Sequence, residues 1–224
     1  MFVAALAYGL ALLERVSGSK VYVVGAVLKQ AMESFDSWLY LLDNALYPDR
    51  RAAMKDGWKV INSAIGHSIS NENLAGGSVS LNALASNPDG QDSFNCNIVI
   101  ADEMHAYKNP KQYNILKEAT KAYTNKLVIG ITTAGDDGTG FCAQRLEYCR
   151  KILNGTVRDD AYFVFICCAD KEPDGSVDYT NPIVHQKANP NYGVTIRPAD
   201  IMNDAMQALN DPQQRKDFFS KSLN

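Results

Sequence analysis

The sequence has no long hydrophobic run, no excess of either charge, no internal repeat and few cysteines, and each shortage excludes a class of protein. Its longest apolar stretch, residues 2–13 (FVAALAYGLALL), stops well short of the ~20 residues that cross a bilayer. Nothing basic precedes that stretch, so it does not read as a secretory signal either. The charges nearly cancel: Lys plus Arg number 22 against 25 Asp plus Glu, a net of −3. A free-standing nucleic-acid-binding module is usually basic, so any such role rests on a local patch or on sequence outside this chain. The five cysteines, Cys96, Cys142, Cys149, Cys167 and Cys168, are odd in number and form no C-x-x-C pair. That argues against a disulfide framework or a zinc finger and for reduced thiols inside a cell. What remains is an ordinary globular composition, 46% apolar and 21% charged over 224 residues, enough for one generous domain with a small appendage.

The apolar residues fall into runs that alternate in period. Residues 20–27 (KVYVVGAV), 97–101 (NIVIA), 127–132 (LVIGIT) and 162–168 (YFVFICC) are continuous, β-branched or aromatic, and read as buried strands. Between them, residues 28–46, 110–123 and 141–153 repeat their apolar positions at three and four, as helices do. Residues 58–84, split by Gly66, Gly76 and Gly77, read as hairpins or edge strands, and two short helices are expected at 198–209 and 212–220. Continuous apolar strands alternating with helices specify an α/β fold with a mostly parallel sheet covered on both faces.

In such a sheet, ligands bind beyond the carboxyl ends of the strands. NIVIA delivers Asp102 and Glu103 to that edge, and LVIGIT delivers Thr132 and Thr133. An apolar strand ending in two acids is the Walker B arrangement of P-loop NTPases: the first acid holds Mg²⁺ through water and the second polarises the attacking water. Hydroxyls on a neighbouring strand end can hydrogen-bond the γ-phosphate. Each signal has an ordinary alternative, since acids and hydroxyls also cap helices and turns, but the pair in this order favours an ATPase.

IVIADEMHAY followed by ITTAGDD, with FVAALAYGLALL and VYVVGAVLKQA ahead and KANPNYG behind, resembles the ATPase half of the tailed-phage terminase large subunit. The resemblance covers nearly all of the chain. It implies a RecA-like P-loop NTPase fold of the additional-strand, catalytic-glutamate type, with Asp102 as the Mg²⁺ residue and Glu103 as the catalytic acid. Thr132, Thr133, Ala134 and Gly135 match the family's coupling motif, which links hydrolysis to movement. It further implies ATP as substrate, double-stranded DNA as cargo, a portal and a small terminase subunit as partners, a homo-oligomeric ring, no membrane, and the host cytoplasm as location.

Two departures qualify this expectation. No G-x-x-x-x-G-K-[ST] occurs; Gly18-Ser19-Lys20 has matching letters but precedes a strand instead of opening a helix. The nuclease half of the family is also absent. The chain is therefore expected to be incomplete at its amino terminus: residues 1–170 an ATPase core without its P-loop strand, and residues 171–224 a helical and loop extension towards a nuclease domain. By itself such a piece is expected to be inactive. A DExH-type helicase core, because Asp102-Glu103-Met104-His105 fits that box, and a non-catalytic prophage remnant or interaction module remain as alternatives. Further candidates are Arg145, Arg150 and Arg158 as an arginine finger, His105 as a link to a neighbouring loop, and Lys29 and Gln30 facing nucleotide or DNA. Asp136 and Asp137 read as a solvent-facing turn more readily than as a second metal site.

Overall fold

In the computed structural model, residues 1–87, 90, 94–133 and 139–223 are described. They form two compact units, Met1–Thr132 and Thr133–Asn224.

The first unit is a six-stranded sheet in the order β2-β3-β4-β1-β5-β6. Its strands are β1 (Ser19–Gly25), β2 (Lys59–Ser63), β3 (Gly66–Leu74), β4 (Gly77–Ala85), β5 (Ile98–Asp102) and β6 (Leu127–Ile131). β1 pairs in parallel with β4 on one side and β5 on the other, β5 pairs in parallel with β6, and β3 is antiparallel to both β2 and β4. Only β3 therefore runs against the rest. The expected strands 20–27, 97–101 and 127–132 are β1, β5 and β6, and the expected hairpins are β2, β3 and β4.

Alternation along the strands sorts the core into two faces. Val21, Val23, Ile69, Leu81, Ile98 and Ile100 bury one face against α1 (Phe2–Leu13) and α2 (Leu28–Leu41), through Ala4, Ala7, Ala11, Phe35 and Trp38. Small residues on α1 let it lie close, and Trp38 pins it by donating its indole N–H to the Ala4 carbonyl at 2.9 Å. On the other face, α4 (Lys111–Ala119) packs over β5 with Tyr113, Leu116 and Ala119 buried. α2 opens where Val27 N–H donates to the Gln30 side-chain oxygen at 3.0 Å, and its last turn widens over Leu42–Leu46 before the short α3 (Arg50–Lys55). α3 begins at Asp49, whose carboxylate caps Ala52 N–H at 2.8 Å. The start of β5 is fixed by Asn97, fully buried, whose side-chain oxygen accepts from Ser19 Oγ at 3.0 Å and Lys20 N–H at 2.9 Å. All five cysteines are free, and burial pushes the Cys96 thiol up to about 12.

The second unit carries α5 (Phe141–Leu153), α6 (Pro182–Ala188), α7 (Pro198–Asn210) and α8 (Pro212–Ser222). Ala188, Ile201, Ala205, Ala208, Phe218 and Leu223 form its core. Each of α6, α7 and α8 opens on proline, whose missing N–H costs nothing at a helix start. The expectation of a fourth strand at 162–168 is corrected here. The segment has no regular secondary structure, and Phe163 and Phe165 are 88% and 72% exposed. Apolar sequence predisposes a segment to extend, but a strand exists only when its backbone groups find a ladder partner.

Trp38 is fully buried and joins two helices to the sheet. Trp38→Ala is expected to cost about 3–5 kcal/mol, the range for emptying a large aromatic site, measured as a fall in the urea unfolding midpoint.

Candidate active site

β1 and β5 are neighbours, yet the chain leaves β1 through α2 on one face and β5 through α4 on the other. In an open α/β sheet such a reversal marks the carboxyl ends of these two strands as the place where ligands bind. α1 runs into β1 through a tight turn at Arg15–Ser17, antiparallel to it, so its amino-terminal, partially positive end returns to the same edge. The first residue of α1's lead-in lies close enough to this edge to act on the Asp102 carboxyl.

β5 is buried from Ile98 to Ala101 and surfaces at Asp102. The Asp102 carboxyl is held above the usual carboxylate range, first by loss of water and second by the neighbouring Glu103 charge; the Glu103 main-chain N–H partly offsets this. Glu103 then adopts a left-handed backbone, φ 49°, a conformation that costs a non-glycine residue about 1 kcal/mol or more. The sharp bend leads into a 3-10 turn, Met104–Ala106. One Glu103 carboxylate oxygen, Oε2, is buried without a hydrogen bond. It lies 3.1 Å from His105 Nδ1, within ion-pair distance but not aligned as a hydrogen bond. The same His105 nitrogen is 3.1 Å from Thr132 Oγ1, which also accepts the His105 main-chain N–H at 3.0 Å.

Asp102, Glu103, His105 and Thr132 are thus brought together at one edge, and Lys29 and Gln30 stand at the start of α2, after the neighbouring β1. Gln30 is engaged in closing the first turn of its helix, and Lys29 is exposed. Thr133 is exposed and opens the second unit. Ala134 and Gly135 of the expected coupling motif, with Asp136 and Asp137, lie outside the described residues. The three arginines belong to the second unit: Arg145 sits over the Phe141 ring at 5.7 Å, Arg150 is exposed in the last turn of α5, and Arg158 pairs with Asp160 at 2.9 Å.

Two residues that support this edge escaped the sequence reading. Tyr107, buried, donates its hydroxyl to the Val24 carbonyl at 2.7 Å and so ties the loop after β5 to β1; burial and the Asp102 charge raise its pKa. Gly130 leaves room for Met104, since a Cβ there would stand 2.3 Å from the methionine sulfur. A glycine inside an apolar strand signals such a close approach, which was the available cue. Among the described residues no cluster of three His, Cys, Asp or Glu forms a metal cage. Mg²⁺ bound with a nucleotide needs none, because one or two carboxylates and the phosphates suffice. A half-buried carboxyl destabilised by a second acid, beside an unpaired acid oxygen, fits such a cation.

Gly130→Ala is expected to destabilise the fold by about 1–3 kcal/mol through overpacking. Adding Met104→Ala should make the double variant more stable than the two single losses predict, as read by urea unfolding of all four proteins. The raised Asp102 value has its own consequence. The folded chain holds that proton more tightly than the unfolded one, so the penalty is absent below the ordinary value of 3.8 and complete above the raised folded value. Asp102→Asn is therefore expected to stabilise the fold near neutral pH, by less than about 1 kcal/mol because water screens a half-exposed group. Urea unfolding at about pH 7 and about pH 3 should show that gain disappear in acid.

Residues 12–151 match the family described as Terminase large subunit, ATPase domain. Protein YmfN of Escherichia coli (strain K12) is 29% identical over 133 residues, 59% of this chain and 28% of that protein. The structure of the HK97 bacteriophage large terminase superposes with a TM-score of 0.71 at 17% identity, over 92% of this chain and 39% of that one. The chain spans well under half the length of either relative. The helix-flanked mixed sheet is the P-loop NTPase-like fold of that structure. On the extent of the family match, together with the agreement in fold, this chain belongs to the terminase large subunit ATPase domain family.

Proposed function

We propose that this chain is the ATP-hydrolysing part of a viral packaging motor that drives double-stranded DNA into a procapsid. The observation that carries the reading is the acid pair at the end of a central buried strand, with one Glu103 oxygen unpaired and the hydroxyl of Thr132 on the adjacent strand within reach of the same turn. Asp102 would hold Mg²⁺ through water, and the ion would neutralise charge on the triphosphate. The unpaired Glu103 oxygen accepts a hydrogen bond from the attacking water, orienting it and drawing off proton density as the bond to phosphorus forms. Burial of β5 and the bonds of Tyr107 and Asn97 keep both acids in place without reorganisation at the moment of reaction.

On this reading residues 1–170 are the nucleotide-processing core and 171–224 the extension towards a nuclease domain. Thr132, Thr133, Ala134 and Gly135 carry the state of the site to the moving parts, and one of Arg145, Arg150 and Arg158 serves a neighbouring subunit as its finger. The partners are a portal, a small terminase subunit and further copies in a ring, in the host cytoplasm. No helix among the described residues is long and apolar enough to cross a membrane. Turnover requires the assembled motor, not this chain by itself.

Glu103→Gln keeps the shape of the side chain and removes its charge. In the complete motor it is expected to lower ATP turnover about 10²–10⁴-fold, the scale of a positioned base, while nucleotide binding is retained. Phosphate release and nucleotide titration measure the two; turnover at the full rate would remove Glu103 from the mechanism.

A further inference from the structure

We propose that His105 is a positioning residue whose single Nδ1–H is shared between the carboxylate of Glu103 and the hydroxyl of Thr132, so that the acid at the end of β5 and the tip of β6 compete for one proton donor. The proposal deepens the ATPase reading, on which its kinetic test depends; its structural test does not.

The geometry supplies the competition. His105 Nδ1 lies 3.1 Å from Glu103 Oε2 and 3.1 Å from Thr132 Oγ1. A neutral imidazole has one N–H, and which nitrogen bears it is set by the partners. A bare Nδ1 would hold its partial negative charge 3.1 Å from a carboxylate oxygen, a repulsion that an N–H turns into attraction, so the proton belongs on Nδ1. Thr132 Oγ1 then accepts from both the ring and the His105 main-chain N–H, the latter at 3.0 Å, which turns its own hydroxyl hydrogen away from His105. The ring N–H is aligned with Thr132, whereas Glu103 Oε2 is buried and lacks a hydrogen bond. A modest rotation of the imidazole moves the N–H to that oxygen and leaves Thr132 tethered to the turn by the main-chain bond.

The two acceptors differ in what they report. Glu103 is fixed by the left-handed bend after β5 and by Met104, seated over Gly130. Thr132 begins the segment that leaves β6. When water occupies Glu103, the ring belongs to Thr132; when Glu103 is left without it, the ring is drawn to the acid and Thr132 loses the ring's hold on it. Occupancy of the acid is thereby passed to the next strand without either side chain travelling far.

Long-range proton–nitrogen spectra of the imidazoles in this chain test the arrangement, because there are only three histidines and His105→Asn identifies the signal. The expected result is the Nδ1–H form for His105, shifting towards the ordinary Nε2–H form in Glu103→Ala, with the signals of His67 and His185 unmoved as proof of an intact fold. An Nε2–H form in the parent chain, or no change in Glu103→Ala, overturns the proposal. In the complete motor, His105→Ala is expected to lower kcat about tenfold with KM for ATP unchanged. His105→Asn, whose amide N–H can stand near the Nδ1 position, should recover most of the loss. Equal loss in both variants overturns the shared-donor role. A parent motor with no ATP hydrolysis would overturn the ATPase reading instead, leaving the spectra to decide this one.

Discussion

The carboxyl edge of the sheet depends on holding two acids at the end of a strand that is otherwise buried hydrocarbon. Left alone, Asp102 and Glu103 would be better off in water and apart, and the raised Asp102 value registers that cost. The compensation comes from elsewhere in the same strand. Ile98, Val99, Ile100 and Ala101 are fully or nearly fully buried, and burying a Val or Ile side chain is worth about 1.5–3 kcal/mol. Ladders to β1 and β6 on either side prevent the strand from sliding outward to relieve its end. The hydrophobic term is the larger, so the strain stays where it is, and the cation proposed for this edge would relieve it.

That strain is placed at a particular point in the topology. α2 and α4 leave β1 and β5 on opposite faces, the arrangement that marks the ligand-binding edge of an open α/β sheet. The start of α1 returns to the same edge, and its direction sets a partial positive charge where the acids emerge. The bonds that hold β5 in place run mostly between strands: Tyr107 to Val24 and His105 to Thr132 at the carboxyl edge, Ser19 and Lys20 to Asn97 at the opposite end. Each ties β5 or its loop to a neighbour, so displacement of one strand end is felt by the next.

The parts legible in the sequence were those governed by burial. β1, β5 and β6 are buried or half-buried throughout, apart from Lys20 and Gly130, and their runs could be read directly; the helices with a long apolar stripe followed. The 162–168 run obeyed the same pattern and still formed no strand, because hydrophobicity is local and a ladder partner is not. Short helices such as α3 and α6 were missed: they carry little periodicity, and their cues are single capping residues, Asp49 and Asn181. At the site, the acid pair could be read because residue type and strand end coincide. The left-handed turn of Glu103 could not, since glutamate carries no preference for it and the surrounding packing imposes it.

On the proposed reading, a shared donor suits the junction between hydrolysis and movement for an energetic reason. A net hydrogen bond between such groups is worth about 0.5–1.5 kcal/mol, which shifts a two-state population by roughly two- to tenfold. Two independent bonds, one at Glu103 and one at Thr132, would each be satisfied regardless of the other and would transmit nothing. One N–H with two acceptors makes the states exclusive, so the full worth of the bond becomes coupling. A bias of that size favours one arrangement of Thr132 without locking it, and on the proposed reading an edge reset with every nucleotide has no use for a stronger one.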